Sequence, residues 1–445
     1  MTATGAEAPG TAGRETLGGH AARQLLRLAE VAGLSGADST LYARTLVEAL
    51  GPVAQRSLDL PPPGHSFLSD DHTPVEFSLS CEPGAAPTLR VLLEPGAGAA
   101  DLAEDGRTGL AVVREMGRRW GFATDRLDDL ADLFFPSAPE GPLALWCALE
   151  LRPGGVPKVK VYLNPAASGE KRAAKTVRKA LKRLGHREAF DALPEGDRHV
   201  FFALDLGDWT EPRVKVYLAH HDLSAAQACT LSRMDGGPGR AEVEEFFRIV
   251  AGSGPGADAD GLRGGVGAGA VQGAGKGAGG GGEPRLARRP VQTCHALTDT
   301  GTGVPSGFTL YIPVRDYARH DGEALDRATA LLGHYGIDPA PVLRAAAAVT
   351  SRRPEDGVGL VAYLGLAHQQ GRPPRILTYL SSEAYEVRPP TAAVPAAALS
   401  TPAPPTVSLS AAAVTGRQPS ARPMDQHRPR TAGTRTAASV EHRTS

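Results

Sequence analysis

The 445-residue chain predicts an α+β protein built as a ten-stranded antiparallel β-barrel with helices packed outside it. Three observations carry that expectation. Strand-periodic segments come in pairs, each pair is joined by a short turn, and helical periodicity follows each pair, so the chain reads as an internal repeat of five hairpins. Consecutive hairpins without a parallel crossover can close into a barrel, which removes exposed edges. A layered sandwich is the alternative that periodicity alone permits. A ten-stranded barrel leaves a lumen large enough for two small ligands.

The elements follow in order. Helical stretches at 20–32 and 39–50 precede the first hairpin, 74–80 with 88–94. A helix at 100–118 leads to the second hairpin, 143–151 with 156–164. In the helix at 168–184, Ala173, Val177, Ala180, Leu181 and Leu184 share one face while Lys and Arg cover the other, so a sheet or another helix must cover the apolar side. The third hairpin is 199–206 with 212–219, followed by a helix at 241–250. The fourth is 291–298 with 307–314, followed by helices at 322–332 and 339–349, and the fifth is 357–366 with 375–382.

One domain is expected over 17–388. Residues 1–16, a Gly-rich insertion at 252–285 and a Pro/Ala/Thr-rich tail at 389–445 carry too little apolar surface to fold and are expected to be disordered. GAGAVQGAGKGAGGGG imitates a phosphate loop, but Gly277 follows Lys276 where Ser or Thr would meet magnesium, and no strand precedes it. A formal net charge of -1 argues against a nucleic-acid partner. Cys81, Cys147, Cys229 and Cys294 show no CxxC pairing, which fits a reducing cytosol. The N-terminus lacks the apolar stretch of a signal peptide, and no run approaches the ~20 apolar residues of a spanning helix. The expectation is a cytoplasmic monomer or homodimer with no membrane partner.

The chemistry lies in what alternates along the second strand of each hairpin. In VKVYLNP, Lys160, Tyr162 and Asn164 share one face, and in PRVKVYLAH, Arg213, Lys215 and Tyr217 do the same, opposite Val and Leu. The apolar face must meet the helices, so the cationic and phenolic face points into the barrel. Arg90 of LRVLLEP, Thr309 and Tyr311 of FTLYIPV, and Tyr379 of ILTYLSS fall at comparable places. Interior cations repel one another and are costly to bury unpaired, a conflict that a dianionic or trianionic ligand would resolve. A half-exposed sheet with a polar face is the plainer account of any one such strand. In the first hairpin Glu76 alternates with Val75 and Phe77 and also points inward; a lone glutamate is otherwise a surface residue or the partner of a nearby Arg.

DDHTPVEFSLS, VKVYLNP, PRVKVYL, TLYIPVRDY and TYLSSEAYEV recur in order, one in each hairpin, and together resemble the bacterial branch of the dimethylallyltryptophan synthase family of aromatic prenyltransferases over about 25–388. The resemblance implies the family's barrel of five repeated αββα units, the ABBA fold. It also implies transfer of a dimethylallyl group from dimethylallyl diphosphate to a ring carbon of L-tryptophan or a related indole, with no metal cofactor. Substitution at position six of the indole is the expected outcome. The family's indole N–H acceptor falls on Glu76, its diphosphate ligands on Arg90, Lys160, Arg213 and Lys215, and its tyrosine shield on Tyr162, Tyr217, Tyr311 and Tyr379. Two features of fungal members are missing: a lysine on the strand 143–151, and an arginine before Arg213 for the amino-acid carboxylate. Re-aromatisation would then use Glu76, Glu150, water or the leaving diphosphate. The alternatives are a non-catalytic barrel that carries an isoprenoid diphosphate, and a prenyltransferase for another aromatic acceptor.

Competing signals have plainer readings. Asp128, Asp129 and Asp132 have the DDxxD spacing of magnesium-dependent isoprenyl synthases, but in a strand-dominated chain they read as the wet face of a short helix. His220, His221 and Asp222 read as a turn. The basic run KRAAKTVRKALKRLGHR reads as a solvated helix face. Trp146, on an apolar strand, is expected in the core, with packing beside the aromatic substrate as the alternative.

Overall fold

The computed structural model describes residues 14–207, 209–252 and 285–391. The strands are β1 (Val75–Cys81), β2 (Thr88–Leu93), β3 (Leu145–Glu150), β4 (Lys158–Leu163), β5 (Arg198–Leu206), β6 (Val214–His220), β7 (Leu223–Ser224), β8 (Arg285–Leu286), β9 (Val291–Leu297), β10 (Gly307–Ile312), β11 (Val361–Gln369) and β12 (Arg375–Ser381). Ten of them close a barrel in the order β1-β12-β11-β10-β9-β6-β5-β4-β3-β2, while β7 and β8 pair separately. Every barrel pairing is antiparallel, and β1 against β12 closes the ring. The sandwich is thereby excluded and the expected ten-stranded barrel is found.

Period-two alternation divides the side chains between two cores. Val75, Phe77, Val91, Leu93, Leu149, Val161, Leu204, Val216, Leu310 and Leu380 point outward and pack with the helices. A separate inner cluster contains Leu92, Trp146, Tyr162, Ala203, Tyr217, Cys294, Tyr311 and Leu377. The helix Leu102–Trp120 shows how the outer layer is seated. Asp101 caps its start by accepting from the Glu104 N–H, Gly121 ends it in the left-handed region at φ 70°, and Leu110, Val113 and Met116 are buried. Its Gly109 lies so close to Leu145 that an added Cβ would stand 3.2 Å from that side chain. The basic helix Ala173–Arg183 buries Val177, Ala180 and Leu181 and keeps its cations outside, as its pattern predicted.

The largest strand-boundary difference is in the fifth hairpin. The strand expected from 357 begins at Val361, because a 3₁₀ turn, Pro354–Asp356, and the positive φ of Gly359 (124°) intervene. Buried Asp321 accepts from the N–H groups of Gly359 (3.0 Å) and Val361 (3.1 Å), satisfying backbone donors that the ladder leaves open. Of the segments expected to be disordered, residues 1–13, 253–284 and 392–445 lie outside the described residues. Thr16 is described, and its hydroxyl caps the helix Leu17–Val31. The DDxxD aspartates form exposed surface pairs, Asp128 with Arg114 and Asp132 with Arg183. Among the described residues no helix is long and apolar enough to cross a membrane.

Candidate active site

Because β1 runs opposite to β2, β4, β6, β10 and β12, residues at its start face the end of the barrel away from where those strands begin. Arg90, Lys158, Lys160, Arg213, Lys215 and Arg375 stand at or near the beginnings of their strands and gather toward one end of the lumen, while Glu76, second in β1, stands toward the other. The tyrosines lie between. Ring centroids are 5.7 Å apart for Tyr162 and Tyr217, 6.2 Å for Tyr217 and Tyr311, and 5.9 Å for Tyr311 and Tyr379. Tyr363 extends the chain, 6.3 Å from Tyr379. Burial raises all four expected phenols, Tyr162, Tyr217, Tyr311 and Tyr379, above their usual value, so they stay neutral. All nine residues singled out from the sequence therefore face one lumen.

The internal repeat explains the layout. Four hairpins place Tyr at the same inner position, and the first places Leu92 there, directly opposite Glu76 in the ladder. The β2 side of Glu76 is therefore aliphatic, while its β12 neighbour is Ser381. Gly365 faces Tyr311 and Leu377, and a Cβ there would come within 3.1 Å of the Tyr311 ring. Trp146 is buried, as a core residue would be, but in the inner cluster on the lumen wall, 5.2 Å from Phe201.

The cations are also not unpaired. Glu150 takes Arg90 at 2.8 Å, and Asp205 lies 3.6 Å from Lys160 and 3.8 Å from Arg213. Anions on β3 and β5 thus relieve part of the repulsion that the sequence reading assigned wholly to a ligand. Burial alone would raise the Glu150 carboxyl, but Arg90, with Lys158 and Arg152, holds it far below the usual carboxylate range. That pairing, at the cationic end, removes Glu150 from the candidate bases. Asp205 is similarly kept ionised by Lys160, Lys215 and Arg213 against its burial.

Cations still outnumber anions, and the excess is felt at Lys215. Lys160 first, then burial, lowers its ammonium to about 8. Arg375 is half-buried, its Nη2 donating to Gln369 while its Nε is buried without a partner, and desolvation together with Arg90 works against its charge. Sequence reasoning missed Arg375, Asp205, Glu150's pairing role and Tyr363. Arg375 carried a usable signal, since it alternates inward with Leu377 and Tyr379. Tyr363 was obscured by the register shift between Val361 and Tyr363.

Glu76 is 5% exposed, and burial, reinforced by Asp70 and opposed by Arg315, pushes its carboxyl up to about 8. Among the described residues no group of three or more His, Cys, Asp or Glu is arranged to hold a metal ion.

A closed barrel with fixed cations at one end, a tyrosine belt and a buried carboxyl beyond it is the architecture of an aromatic prenyltransferase. Residues 36–252 match the family model described as tryptophan dimethylallyltransferase. The chain is similar to the prenyltransferase PriB, solved with L-tryptophan and dimethylallyl thiolodiphosphate: 57% identity, 86% of this chain and 100% of that one covered, TM-score 0.78. It is similar to the 5-dimethylallyl tryptophan synthase of Streptomyces coelicolor, at 59% identity, with 86% and 99% covered and TM-score 0.76. It also matches the 6-dimethylallyltryptophan synthase of Micromonospora olivasterospora, at 36% identity, with 84% and 100% covered and TM-score 0.72. The chain belongs to the tryptophan dimethylallyltransferase family and is a prenyl-transferring enzyme of the bacterial type.

Proposed function

We propose that the protein transfers the dimethylallyl group of dimethylallyl diphosphate to a benzenoid ring carbon of L-tryptophan without a metal ion. The observation that carries this reading is the opposition, inside one lumen, of the Arg90, Lys160, Arg213, Lys215 group to the buried Glu76, with the tyrosine belt between them. PriB and the Streptomyces coelicolor synthase, each solved with tryptophan and a dimethylallyl thiolodiphosphate, support the substrates.

The chemistry is a Friedel–Crafts alkylation. The C–O bond to diphosphate breaks, the electron pair leaves with the diphosphate, and the ring carbon bonds to the allylic cation. Arg90, Lys160, Arg213, Lys215 and the neighbouring Arg375 meet the charge that develops on the leaving group, where one fixed donor contributes about 3 kcal/mol. These fixed cations take the place that magnesium fills in other isoprenoid enzymes. Tyr162, Tyr217, Tyr311 and Tyr379 present π faces to the cation, about 2 kcal/mol each when desolvated, and exclude water that would quench it. Glu76 accepts the indole N–H and orients the ring. The ring proton leaves last, to Glu76 or to the departed diphosphate. A carrier barrel would need the cations but not a carboxyl buried at the far end. Four scattered cysteines without CxxC spacing accord with a cytoplasmic site of action.

Incubation with dimethylallyl diphosphate and L-tryptophan in EDTA should add one isoprenoid unit to the amino acid, read by mass spectrometry. Absence of product across a panel of indoles would overturn the reading. NMR of the product assigns the carbon: position six was the sequence-based expectation, whereas the relative named for position five has the higher identity of the two position-named synthases, 59% against 36%.

A further inference from the structure

Two further carboxyls, those of Glu94 and Asp105, meet at the Glu76 end of the barrel. Glu94 follows β2, and its N–H donates to the Pro74 carbonyl at 3.1 Å, so it prolongs the ladder by one step. It continues the inward alternation of Arg90 and Leu92, and the β2–β3 register carries it opposite Trp146. Asp105 comes from outside, from the first turn of the helix Leu102–Trp120. Gly96 makes room for it, since a Cβ there would overlap the Asp105 carboxyl.

Both residues are only 5% exposed, and no Lys or Arg among the described residues pairs with either. Glu94 Oε2, Asp105 Oδ1 and Trp146 Nε1 are each buried without a completed hydrogen bond. They are nevertheless neighbours: Asp105, the Ser66 hydroxyl and the Trp146 N–H all act on the Glu94 carboxyl. Burial, and then Asp105, raises that carboxyl; burial raises Asp105 too, against Glu94 and the Ala144 N–H. Two buried like charges that face each other without a cation do not both persist. One retained proton removes the repulsion and supplies the donor that the pair lacks. The Trp146 N–H then has a fixed acceptor, as a buried indole requires.

Trp146 stands where the run of lumen rings ends. It is the ladder partner of Tyr162, and Phe201 lies 5.2 Å from it and 5.7 Å from Tyr217. On its other side β2 offers Leu92 and Glu94 and no ring. Aromatic packing holds one side of the indole, and the N–H is the handle on the other. We propose that Glu94 and Asp105 hold one proton between them and, through the Trp146 N–H, fix the indole as the last panel of the wall that keeps water from the allylic cation. Glu94 is thus a positioning residue. The inference rests on the proposed prenyl transfer and adds what decides between two fates of the cation. Attack by the ring carbon gives prenylated tryptophan, whereas attack by water forms a C–O bond, releases a proton and gives dimethylallyl alcohol. The pair is not legible in the sequence, because strand alternation stops at Pro95 and Asp105 belongs to a helix.

The test measures, in the full chain with dimethylallyl diphosphate and L-tryptophan, the share of consumed donor that ends as dimethylallyl alcohol. Glu94→Leu should raise that share at least fivefold over the wild type. Glu94→Gln should stay within twofold, since its amide donates to Asp105 and accepts from Trp146. Trp146→Phe, which keeps a ring but no N–H, should raise the share as Glu94→Leu does, and the double variant should go no further than either. A merely structural defect would lower transfer and hydrolysis together. An unmoved share in Glu94→Leu and Trp146→Phe, or a rise in Glu94→Gln as large as in Glu94→Leu, would therefore overturn the assignment and leave the prenyl transfer standing. If no indole is prenylated, the proposed reaction fails on its own account. Infrared difference spectroscopy at pH 7 then still reads the shared proton: Glu94→Gln should remove a protonated-carboxyl band that Glu76→Gln leaves in place, and no lost band sinks the pair.

Discussion

Glu76 concentrates the chemistry of the site in one titratable group. Its carboxyl is ordinary in sequence, and period two was enough to face it inward. Its elevation to about 8 was not legible, because it comes first from burial inside the closed barrel, with Arg315 opposing it from after β10 and Asp70 adding to it from before β1. If the carboxylate is the form that accepts the indole N–H, kcat/KM for the acceptor should climb as pH rises through about 8, and Glu76→Gln should lower turnover and erase that limb. The same shift has a stability consequence with a definite sign. A folded value above the unfolded one of 4.5 means that the folded state holds the proton more tightly, so the contribution is full below 4.5 and is lost as pH rises toward 8. Each unit corresponds to about 1.4 kcal/mol. Glu76→Gln should therefore melt higher than the wild type at pH 8.5 and lose that advantage at pH 5, as thermal unfolding at both pH values would show. No gain at pH 8.5 would mean that the carboxyl is not desolvated as its surroundings imply.

At the scale of elements, the hairpins were readable because each inner and outer face is chemically uniform, whereas the places where strands start irregularly were not. The beginning of β11 depends on Asp321, which lies 245 positions after Glu76 in the numbering yet supports the same end of the barrel. Asp321 is wholly buried and accepts from Gly359, Val361 and, at 2.5 Å, Arg352, which also holds Glu383 at 2.5 Å. No alternation pattern encodes such a junction, since it joins a helix start, a strand start and the turn after β12. Asp321→Ala would leave two buried N–H groups unmet, at about 1–3 kcal/mol each, while Arg352 keeps Glu383. Urea unfolding should report a loss of that size. A change under 1 kcal/mol would show that the junction is dispensable. The tyrosine belt is encoded more simply, by one position repeated across hairpins, and Leu92 shows why the repeat is broken: a fifth tyrosine would stand against Glu76.

Across the whole molecule, a chain of net charge -1 separates its charges so that the lumen end formed by Arg90, Lys158, Lys160, Arg213, Lys215 and Arg375 is positive despite Glu150 and Asp205. Composition could not reveal this, since the surface pairs that balance it are numerous and contribute little. The separation has a measurable proton signature. Lys215 is lowered to about 8 by Lys160 and by burial, so at pH 8 about half of the free molecules carry it neutral. A bound diphosphate puts negative charge beside the ammonium and raises it again, so binding must draw a proton from solution. Calorimetric titration with diphosphate in two buffers of different ionisation enthalpy should give uptake of about half a proton per site at pH 8, declining toward zero by pH 6 as the free ammonium becomes fully charged. Lys215→Met should bind more weakly and abolish the uptake. Uptake that persists in Lys215→Met would assign the proton to another group, and no uptake in the wild type at pH 8 would mean that Asp205 and the lumen already hold Lys215 charged.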